Sequence, residues 1–555
     1  MMKKITSMAT ALLCTAISTA ALAASPIPSF DKEAVTTRPY NRTGQQQAEV
    51  KNEQPTAPGY QAGNTGTAEN PAFFVNEITL TGFALPDKEG KLQAILDSYS
   101  KRSVAMEELP ALTQAVTDYA RSCGYTVSQA VVPPQEIAGG KLEVKVYVAS
   151  FDKIELTRND SPIVDRVLQG FAAPLHSGDV ITDKKLERVL NNLNDLPGVT
   201  ARGVLRPGSQ PVTTALEIEA IERKVWNNYV FVDNGGSKSS GRYRYGFHTE
   251  INNPGRNGDK IGVSGYISNK HTKNYGVNYE TAVGSRGTRW GVGYSRSSYD
   301  MDRLGLWDPT GESEGFSFYG LTPVYRDMSK RVTAIYGYDY RKITDDMNCI
   351  LPIPGLSFST DKTANVLHAG IATSEYLPNR FTSANLIYWY GDIDTKNGGA
   401  YYDGAYHKLT ADFNHVRYWK LWNLRFEAHA QLANRDLDGS ERFYLGGLSG
   451  VRAYPASETS GDRGYTATME LRRATDVEGL EVAAFIDVGE VANGNAMYRG
   501  DKHRKLAGWG LGLRYNKPND WHAQFDYAWK IDGEDYVSED HNHKGRMWFQ
   551  IYKMF

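Results

Sequence analysis

This 555-residue sequence has few cysteines, almost no net charge and few long apolar runs. Of its three cysteines, Cys123 and Cys349 fall in regions predicted to be different domains, so no disulfide framework is expected. The 62 basic and 64 acidic residues give a formal net charge of -2, and no basic excess indicates a nucleic-acid partner. The lack of a long apolar run after residue 22 argues against a helical membrane protein.

Residue patterns that carry catalysis, metal binding or cofactor binding are also missing. His541-Asn542-His543 lies in a charged segment without further ligands at a convincing spacing, so it is interpreted as solvated loop and no metal site is expected. A hydrolase would need a nucleophile motif, and His407, His415 and His429 lie on predicted strands without one. No nucleotide-binding loop is evident. We therefore expect no catalytic residue, no cofactor and no enzymatic activity.

The sequence does contain a sustained alternation of apolar and polar side chains from about Val225 to Phe555. From Trp422 to Leu432 every even position is apolar and every odd position is polar, so one face suits lipid and the other suits water. Aromatic residues crowd the ends of these blocks, as the girdles at two membrane interfaces would require. The pattern predicts a transmembrane β-barrel. A soluble antiparallel sandwich, whose half-buried strands also alternate, is the alternative.

The lengths of the connecting segments favour the barrel. Short polar turns interleave with much longer segments, which is the asymmetry of an outer-membrane barrel. Segmentation on this rule predicts sixteen antiparallel strands, an even number as such a barrel requires. The strands are expected to begin near residues 225, 243, 259, 275, 289, 316, 332, 364, 382, 407, 421, 464, 479, 507, 521 and 546.

The beginning of the chain resembles an export leader followed by a linker. Two lysines precede an apolar stretch from Ile5 to Leu22, and Ala21-Leu22-Ala23 offers a small-residue cleavage site. We expect a signal peptide over residues 1–23, cleaved after Ala23 or Ala24, with a single uncleaved membrane anchor as the alternative. Residues 24–72 are rich in Gln, Thr, Pro, Gly and Asn and cannot bury much core. They are expected to form a linker.

An internal repeat precedes the predicted barrel. Residues 73–149 and 150–222 show the same order of elements: strand, helix, helix, strand, strand. In the first copy, a helix is predicted at Asp87 to Ser98, and Glu107 to Ser122 carries apolar residues at helical spacing. In the second copy, helices are predicted at Pro162 to Gln169 and at Asp183 to Leu193. The repeat predicts two small α+β domains.

This order of elements resembles the periplasmic POTRA domain. Val132-Pro133-Pro134-Gln135, followed by Gly139 to Val144, resembles the end of the first such domain in two-partner secretion transporters. Leu193 to Val199, followed by Arg206-Pro207-Gly208, resembles the matching part of the second. Two POTRA domains ahead of a sixteen-stranded barrel, here residues 223–555, form the layout of the FhaC-like TpsB family. The resemblance covers nearly all of the mature chain and implies a place in the bacterial outer membrane, with the POTRA domains in the periplasm.

The resemblance also implies a loop that folds back into the lumen. Val451-Arg452-Ala453-Tyr454 is similar to the Val-Arg-Gly-Tyr/Phe motif at the tip of the family's sixth extracellular loop, with Ala453 in place of the usual glycine. The family's Phe-x-Asp-x-Gly motif on the barrel wall corresponds to Phe485, Asp487 and Gly489. Because every even position from Leu480 to Val488 is apolar and shares the lipid-facing parity, Asp487 is predicted to point inward. Arg452 is therefore expected to pair with Asp487.

The function implied by the resemblance is the export of a large secreted partner protein, of TpsA type. The POTRA domains would recognise it in the periplasm, and it would pass through the barrel lumen as a haemolysin, an adhesin or a contact-dependent toxin. Within residues 24–72, the family often has a helix that plugs the resting pore. Further expected contacts are outer-membrane lipid and the barrel-assembly machinery, which would recognise the C-terminal Phe555; the chain is expected to be a monomer.

Two other functions remain open at this point. An outer-membrane insertase of the same superfamily shares the fold and the arginine motif, but it usually carries more periplasmic domains. A plain porin would need no repeat ahead of its barrel.

Overall fold

The computed structural model describes residues 51–52, 72–87, 89–223, 228–302, 306–327, 329–351, 357–397, 403–494, 503–531, 535–539 and 542–555. The expected signal peptide, nearly all of the segment 24–72 and His541 lie outside these ranges. No helix within them is both long and apolar enough to cross a membrane. The described residues up to Arg223 form one compact unit, and nearly all of those from Asn228 onward form another.

The first unit contains the repeat that the sequence predicts. Its elements are β1 (Lys51–Asn52), β2 (Ala72–Val75), β3 (Glu77–Gly82), α1 (Lys91–Tyr99), β4 (Arg102–Ala105), α2 (Leu109–Ser122), β5 (Ser128–Val131), β6 (Lys141–Val148), β7 (Ser150–Asp160), α3 (Asp165–Ala172), α4 (Asp183–Asn194), β8 (Val199–Pro207) and β9 (Thr213–Glu222). The first copy forms the sheet β3-β6-β5, and the second forms the sheet β8-β9-β7, to which β1 adds in parallel beside β8. In each copy the final strand lies inside the sheet, parallel to the first strand and antiparallel to the one before it.

Each sheet buries its apolar face under two helices. In the first copy, Leu112 and Val116 of α2 are fully buried against inward residues of β6 such as Val144. The α2 side chains lie three or four residues apart, and the β6 side chains alternate, so both elements present one apolar face. This packing explains why the strand-helix-helix-strand-strand pattern can be read from the sequence.

Two details of the first copy differ from the sequence-based expectation. Helix α1 begins at Lys91 rather than near Asp87, because the Asp87 carboxylate accepts hydrogen bonds from the amides of Gln93 at 2.9 Å and Leu92 at 3.3 Å. The hydrogen bond from Gln93 lowers the pKa of Asp87. The four-residue strand β4, which pairs with β2, was not predicted, since so short a segment between two helices carries no readable alternation.

The second unit is a closed barrel of sixteen antiparallel strands, which confirms the predicted fold class. The strands are β10 (Tyr229–Asp233), β11 (Arg244–Asn252), β12 (Lys260–Ser268), β13 (Lys273–Val283), β14 (Thr288–Asp300), β15 (Trp307–Arg326), β16 (Lys330–Cys349), β17 (Phe358–Leu377), β18 (Arg380–Thr395), β19 (Gly404–Trp419), β20 (Trp422–Ala433), β23 (Arg463–Ala474), β24 (Leu480–Ala492), β25 (His503–Asn516), β26 (Trp521–Lys530) and β27 (Gly545–Met554). The barrel closes where β10 pairs with β27, from Tyr229 opposite Met554 to Asp233 opposite Gln550.

Side-chain exposure follows the alternation along the strands. On β24, Val482, Ile486 and Val488 are exposed on the outer face, whereas Phe485 and Asp487 are buried on the inner one. The outer face therefore carries a band of apolar residues suited to lipid, and the inner face carries most of the charges. The turns after β11, β13, β15, β17, β19, β23 and β25 are short and lie at one end of the barrel, called here the short-turn end. The other connections, most of which are longer, lie at the long-loop end.

The largest disagreement in strand boundaries concerns β15, which begins at Trp307 instead of near residue 316. Its first half carries polar outward residues, Glu312 and Glu314, that resemble a loop. Tyr299 of β14 and Met347 of β16 are buried on the inner side of this region. The strands β15, β16 and β17 consequently continue past the apolar band at the long-loop end as a paired sheet.

Candidate functional site

The connection from β20 to β23, residues 434–462, contains the residues that the sequence singles out. It includes a single 3-10 turn at Gly439–Glu441 and a small hairpin formed by β21 (Phe443–Leu445) and β22 (Thr459–Gly461). Leu445, Val451 and Tyr454 are each fully buried and belong to one apolar cluster with the inward-facing Phe485 of β24. The tip of this connection therefore lies inside the barrel. Residues 434–462 are hereafter called the lumen loop.

Two glycines shape the tip. Gly446 and Gly447 have φ values of 105° and 90°, a region that residues with a side chain rarely adopt. A Cβ atom on Gly446 would lie 2.4 Å from the carbonyl oxygen of Pro455, so the two sides of the tip approach closely only because that atom is absent. The amide of Gly447 donates to the carbonyl of Tyr454 at 3.1 Å and closes the tip.

Arg452 and Asp487 meet in the lumen. The Arg452 Nε and Nη2 atoms each lie 2.8 Å from a different oxygen of the Asp487 carboxylate, which is the bidentate geometry available to a guanidinium. The same carboxylate also accepts from the Arg452 amide at 3.1 Å and from the Thr468 hydroxyl at 2.9 Å. With four hydrogen bonds Asp487 is saturated, although its side chain has no exposure to solvent.

The pair is part of a larger cluster of charges. Arg452 Nη1 also lies 2.9 Å from Glu470 and 3.2 Å from Asp526. Arg514 contacts the same two carboxylates at 2.9 and 2.6 Å, and Arg472 contacts Glu470 at 2.6 Å. Three guanidiniums thus face three carboxylates. Such burial is tolerated because every charge is paired, and removing one member would leave another uncompensated.

Aromatic residues hold the Arg452 backbone and side chain from other directions. The guanidinium lies 3.3 Å from the ring centre of Phe485, a cation–π contact with a residue of the predicted wall motif. The Trp548 indole donates to the carbonyl of Arg452 at 2.6 Å, and the Tyr536 hydroxyl donates to the carbonyl of Ala453 at 3.0 Å. The tip is therefore fixed at its backbone as well as at its charge.

Ala453, which departs from the family motif, fits the site without backbone strain. Its φ is not positive, so this position does not require glycine. Its methyl group packs over Gly508 of β25, where an added Cβ would lie only 2.5 Å away. Because Gly508 has no side chain, the wall has room for the methyl group of Ala453.

Gly489 provides space for the β21 side of the lumen loop. A Cβ on this residue would lie 2.5 Å from Leu445 Cδ1 and 2.8 Å from the backbone oxygen of Tyr465, which cannot move without disturbing the barrel. We expect Gly489→Ala to displace the hairpin and expose the loop to added protease in outer-membrane fragments. Gly276→Ala is the matched control, because its Cβ would lie 3.4 Å from its nearest neighbour. Equal protease resistance of the two variants would contradict this account.

Phe555 lies at the end of β27, away from the lumen loop. It is exposed, and its amide donates to the carbonyl of Asn228 at 2.9 Å. Lys553, which interrupts the apolar row of β27, pairs with Asp520 in the turn between β25 and β26 and lies 5.1 Å from the ring centre of Trp521. The lysine charge is thus held at the short-turn end, outside the apolar band.

Sequence reasoning missed Glu470, Asp526, Arg514 and Trp548. All four lie at inward positions of their strands, and this parity was the only available signal. Other lumen charges have the same inward parity without belonging to the cluster. Asp412, for example, pairs with His429 at 2.7 Å on another part of the wall. Within the described ranges, no group of three or more His, Cys, Asp and Glu residues is arranged to hold a metal ion.

Comparison with known proteins places these features in one family. The chain matches the haemolysin secretion/activation protein family ShlB/FhaC/HecB over residues 213–515 and the ShlB-type POTRA domain over residues 73–148. It is 24% identical over 490 residues to the heme/hemopexin transporter protein HuxB of Haemophilus influenzae, covering 84% of each chain. It is 22% identical over 499 residues to the outer membrane transporter CdiB of Dickeya dadantii, covering 85% of each chain.

A solved structure shows the same fold. CdiB from Escherichia coli superposes with a TM-score of 0.68 at 20% identity, over 93% of this chain and 95% of that chain. The ShlB/FhaC/HecB match alone spans more than half of the sequence. The chain therefore belongs to the haemolysin secretion/activation protein family ShlB/FhaC/HecB, outer-membrane transporters of two-partner secretion whose POTRA domains lie in the periplasm.

Proposed function

We propose that this protein captures one large secreted partner in the periplasm and exports it, extended, through the barrel lumen. The observation that carries the proposal is the family match over residues 213–515, which reaches from β9 to β25. The family is one of haemolysin secretion and activation, so export is favoured over membrane insertion of other barrels. The cargo type, whether a haemolysin, an adhesin or a contact-dependent toxin, is part of the proposal.

The capture step uses the POTRA sheets. Strand β5 lies at the edge of the sheet β3-β6-β5, and an extended peptide can add to such an edge through backbone hydrogen bonds. Backbone pairing accepts many sequences, which suits a long substrate, while the side chains beside the edge provide selection. The domain bounds proposed for this role are residues 73–149 and 150–222.

The passage step uses the wall that faces away from the lumen loop. From β12 to β15 the inward positions are occupied mainly by small or polar residues, namely Gly262, Ser264, Gly276, Asn278, Gly291, Gly293, Ser295, Gly315 and Ser317. A wall of this kind offers few apolar surfaces to hold a moving chain. The driving force is proposed to be folding of the partner outside, which prevents its return without any nucleotide or cofactor.

The remaining parts of the proposal concern biogenesis and the resting state. Residues 1–23 act as a signal peptide, and residues 24–72 act as a linker that includes a pore plug. The barrel-assembly machinery recognises the strand ending at Phe555, and the protein works as a monomer in outer-membrane lipid without enzymatic activity.

A deletion strain tests the export proposal. Removing this gene beside that of its putative partner should leave the partner absent from the cell surface and degraded or retained in the periplasm. Expression of this chain from a plasmid should restore surface display, measured by labelling intact cells with antibody. Normal surface display in the deletion strain would refute the proposed function.

A further inference from the structure

A second set of buried ion pairs holds the lumen loop where it leaves β20. Lys362 of β17 lies 2.9 Å from Asp438, and Lys408 of β19 lies 2.7 Å from Glu441. Arg341 of β16 also pairs with Glu441. Both acids are nearly fully buried. We call these five residues the base anchor. We call Arg452 and the three carboxylates that it contacts, Asp487, Glu470 and Asp526, the tip anchor.

The base anchor is supported on every side. Leu437, which precedes Asp438, is buried in an apolar cluster with Val366 and Tyr406 of the wall. Gln431 donates to the carbonyl of Glu441 at 2.9 Å, and the amide of Ser440 donates to Asp438 at 3.0 Å. These contacts fix the backbone as well as the charges.

The two anchors lie at different depths and on different walls. Lys408 is opposite Ala433, the last residue of β20, so the base anchor lies at the long-loop end. Asp487 is opposite Thr468, within β23, so the tip anchor lies deeper in the lumen. The base anchor uses β16, β17 and β19, whereas the carboxylates of the tip anchor belong to β23, β24 and β26. The lumen loop therefore bridges two parts of the barrel wall.

We propose that the base anchor is an outer latch, which closes the long-loop mouth at rest and opens independently of the tip anchor during export. The inference rests on the proposed function, since it assigns a gate to the export path. Buried charges are tolerated only while paired, so partial release of Asp438 or Glu441 is unfavourable. The latch consequently has two arrangements. In one the charges are paired and the mouth is closed, and in the other the charges are hydrated and the mouth is open. An entering polypeptide can convert the first arrangement into the second.

Electrical recording of the purified full-length protein in a planar lipid bilayer tests the latch. Glu441→Gln keeps the shape of the side chain but leaves Arg341 and Lys408 without their carboxylate. We expect roughly a tenfold or larger increase in the fraction of time spent in the high-conductance state, since about 1.4 kcal/mol shifts a two-state equilibrium tenfold. Asp412→Asn is the matched control, a lumen carboxylate of β19 that pairs with His429, and it should leave the conductance unchanged.

A conservative change provides the positive control. Glu441→Asp keeps a carboxylate beside Arg341 and Lys408 and should retain most of the low conductance, whereas Arg341→Ala should raise it. If Glu441→Gln yields no barrel with heat-modifiable mobility, Asp438→Asn replaces it with the same expectation. A conductance equal to that of the unaltered protein overturns the latch. No partner is present in the bilayer, so the conductance tests the latch and not export. Failure of the unaltered protein in the export assay would refute the proposed function.

Discussion

Arg452→Ala is expected to reduce surface display of the partner by about tenfold or more while a folded barrel remains in the outer membrane. The change removes the guanidinium from three carboxylates, Asp487, Glu470 and Asp526, that are almost completely buried. Breaking a buried pair on one side costs roughly 3 to 5 kcal/mol, because a charge is left without compensation. The lumen loop should bear this cost, since Arg452 forms the ion pairs that join its tip to the wall, whereas sixteen paired strands hold the barrel.

Two further variants separate the geometry of Arg452 from its charge. Arg452→Lys keeps the charge but cannot form the bidentate pair, so export should recover only in part. Arg296→Ala removes a partly exposed arginine that pairs with Glu312 and Glu314 on the outer face, and this variant should export normally. Cell-surface labelling of the partner and heat-modifiable mobility of the barrel are the two measurements. Export by Arg452→Ala at the normal level would show that the tip anchor is dispensable.

Leu112→Ala is expected to abolish export by a different route, through loss of the first POTRA domain. Leu112 is fully buried between α2 and the sheet, and deleting such a side chain typically costs about 2 to 5 kcal/mol. A domain of this size has only about 4 to 11 kcal/mol of stability at roughly 0.05 to 0.15 kcal/mol per residue. Much of the POTRA stability would therefore be lost, while the barrel, a separate compact unit, should remain folded.

Pulse proteolysis of the full-length protein in detergent measures this effect. The POTRA region of Leu112→Ala should be cleaved at a lower urea concentration than that of the unaltered protein, and the barrel fragment should stay intact. Met106→Ala is the control, because half of the Met106 side chain is already exposed. If Leu112→Ala exports normally despite cleavage of its POTRA region, the first POTRA domain is not needed for capture.

The barrel could be predicted because lipid on one side and water on the other impose a two-residue period on every strand. This period placed Trp422 to Leu432 and Leu480 to Val488 on strands with the correct faces outward. The POTRA repeat was readable for a similar reason, since α2 and β6 each bury one face. Where both faces are polar, as in the first half of β15, the period gives no signal and the boundary was misplaced.

The charge cluster could be predicted only in part. The sequence indicated Arg452 and Asp487 through a motif, but parity alone cannot separate a buried inward carboxylate from a hydrated one. Glu470 and Asp412 both face the lumen, yet Glu470 is buried among arginines while Asp412 is about one third exposed beside His429. The difference arises from the path of the lumen loop, whose anchors join strands far apart in the sequence. The base anchor at Asp438 and Glu441 escaped prediction for the same reason.

The central claim is that the partner crosses the membrane inside the barrel, and photo-crosslinking during secretion tests it most directly. A photoreactive amino acid is placed at Asn278, which faces the lumen on β13, or at its neighbour Val277, which faces lipid. Cells that are actively secreting the partner are then irradiated. The account predicts a covalent adduct between the partner and the protein carrying the probe at position 278, and no such adduct at position 277. Adducts at position 277 alone, or at neither position during verified secretion, would contradict export through the lumen.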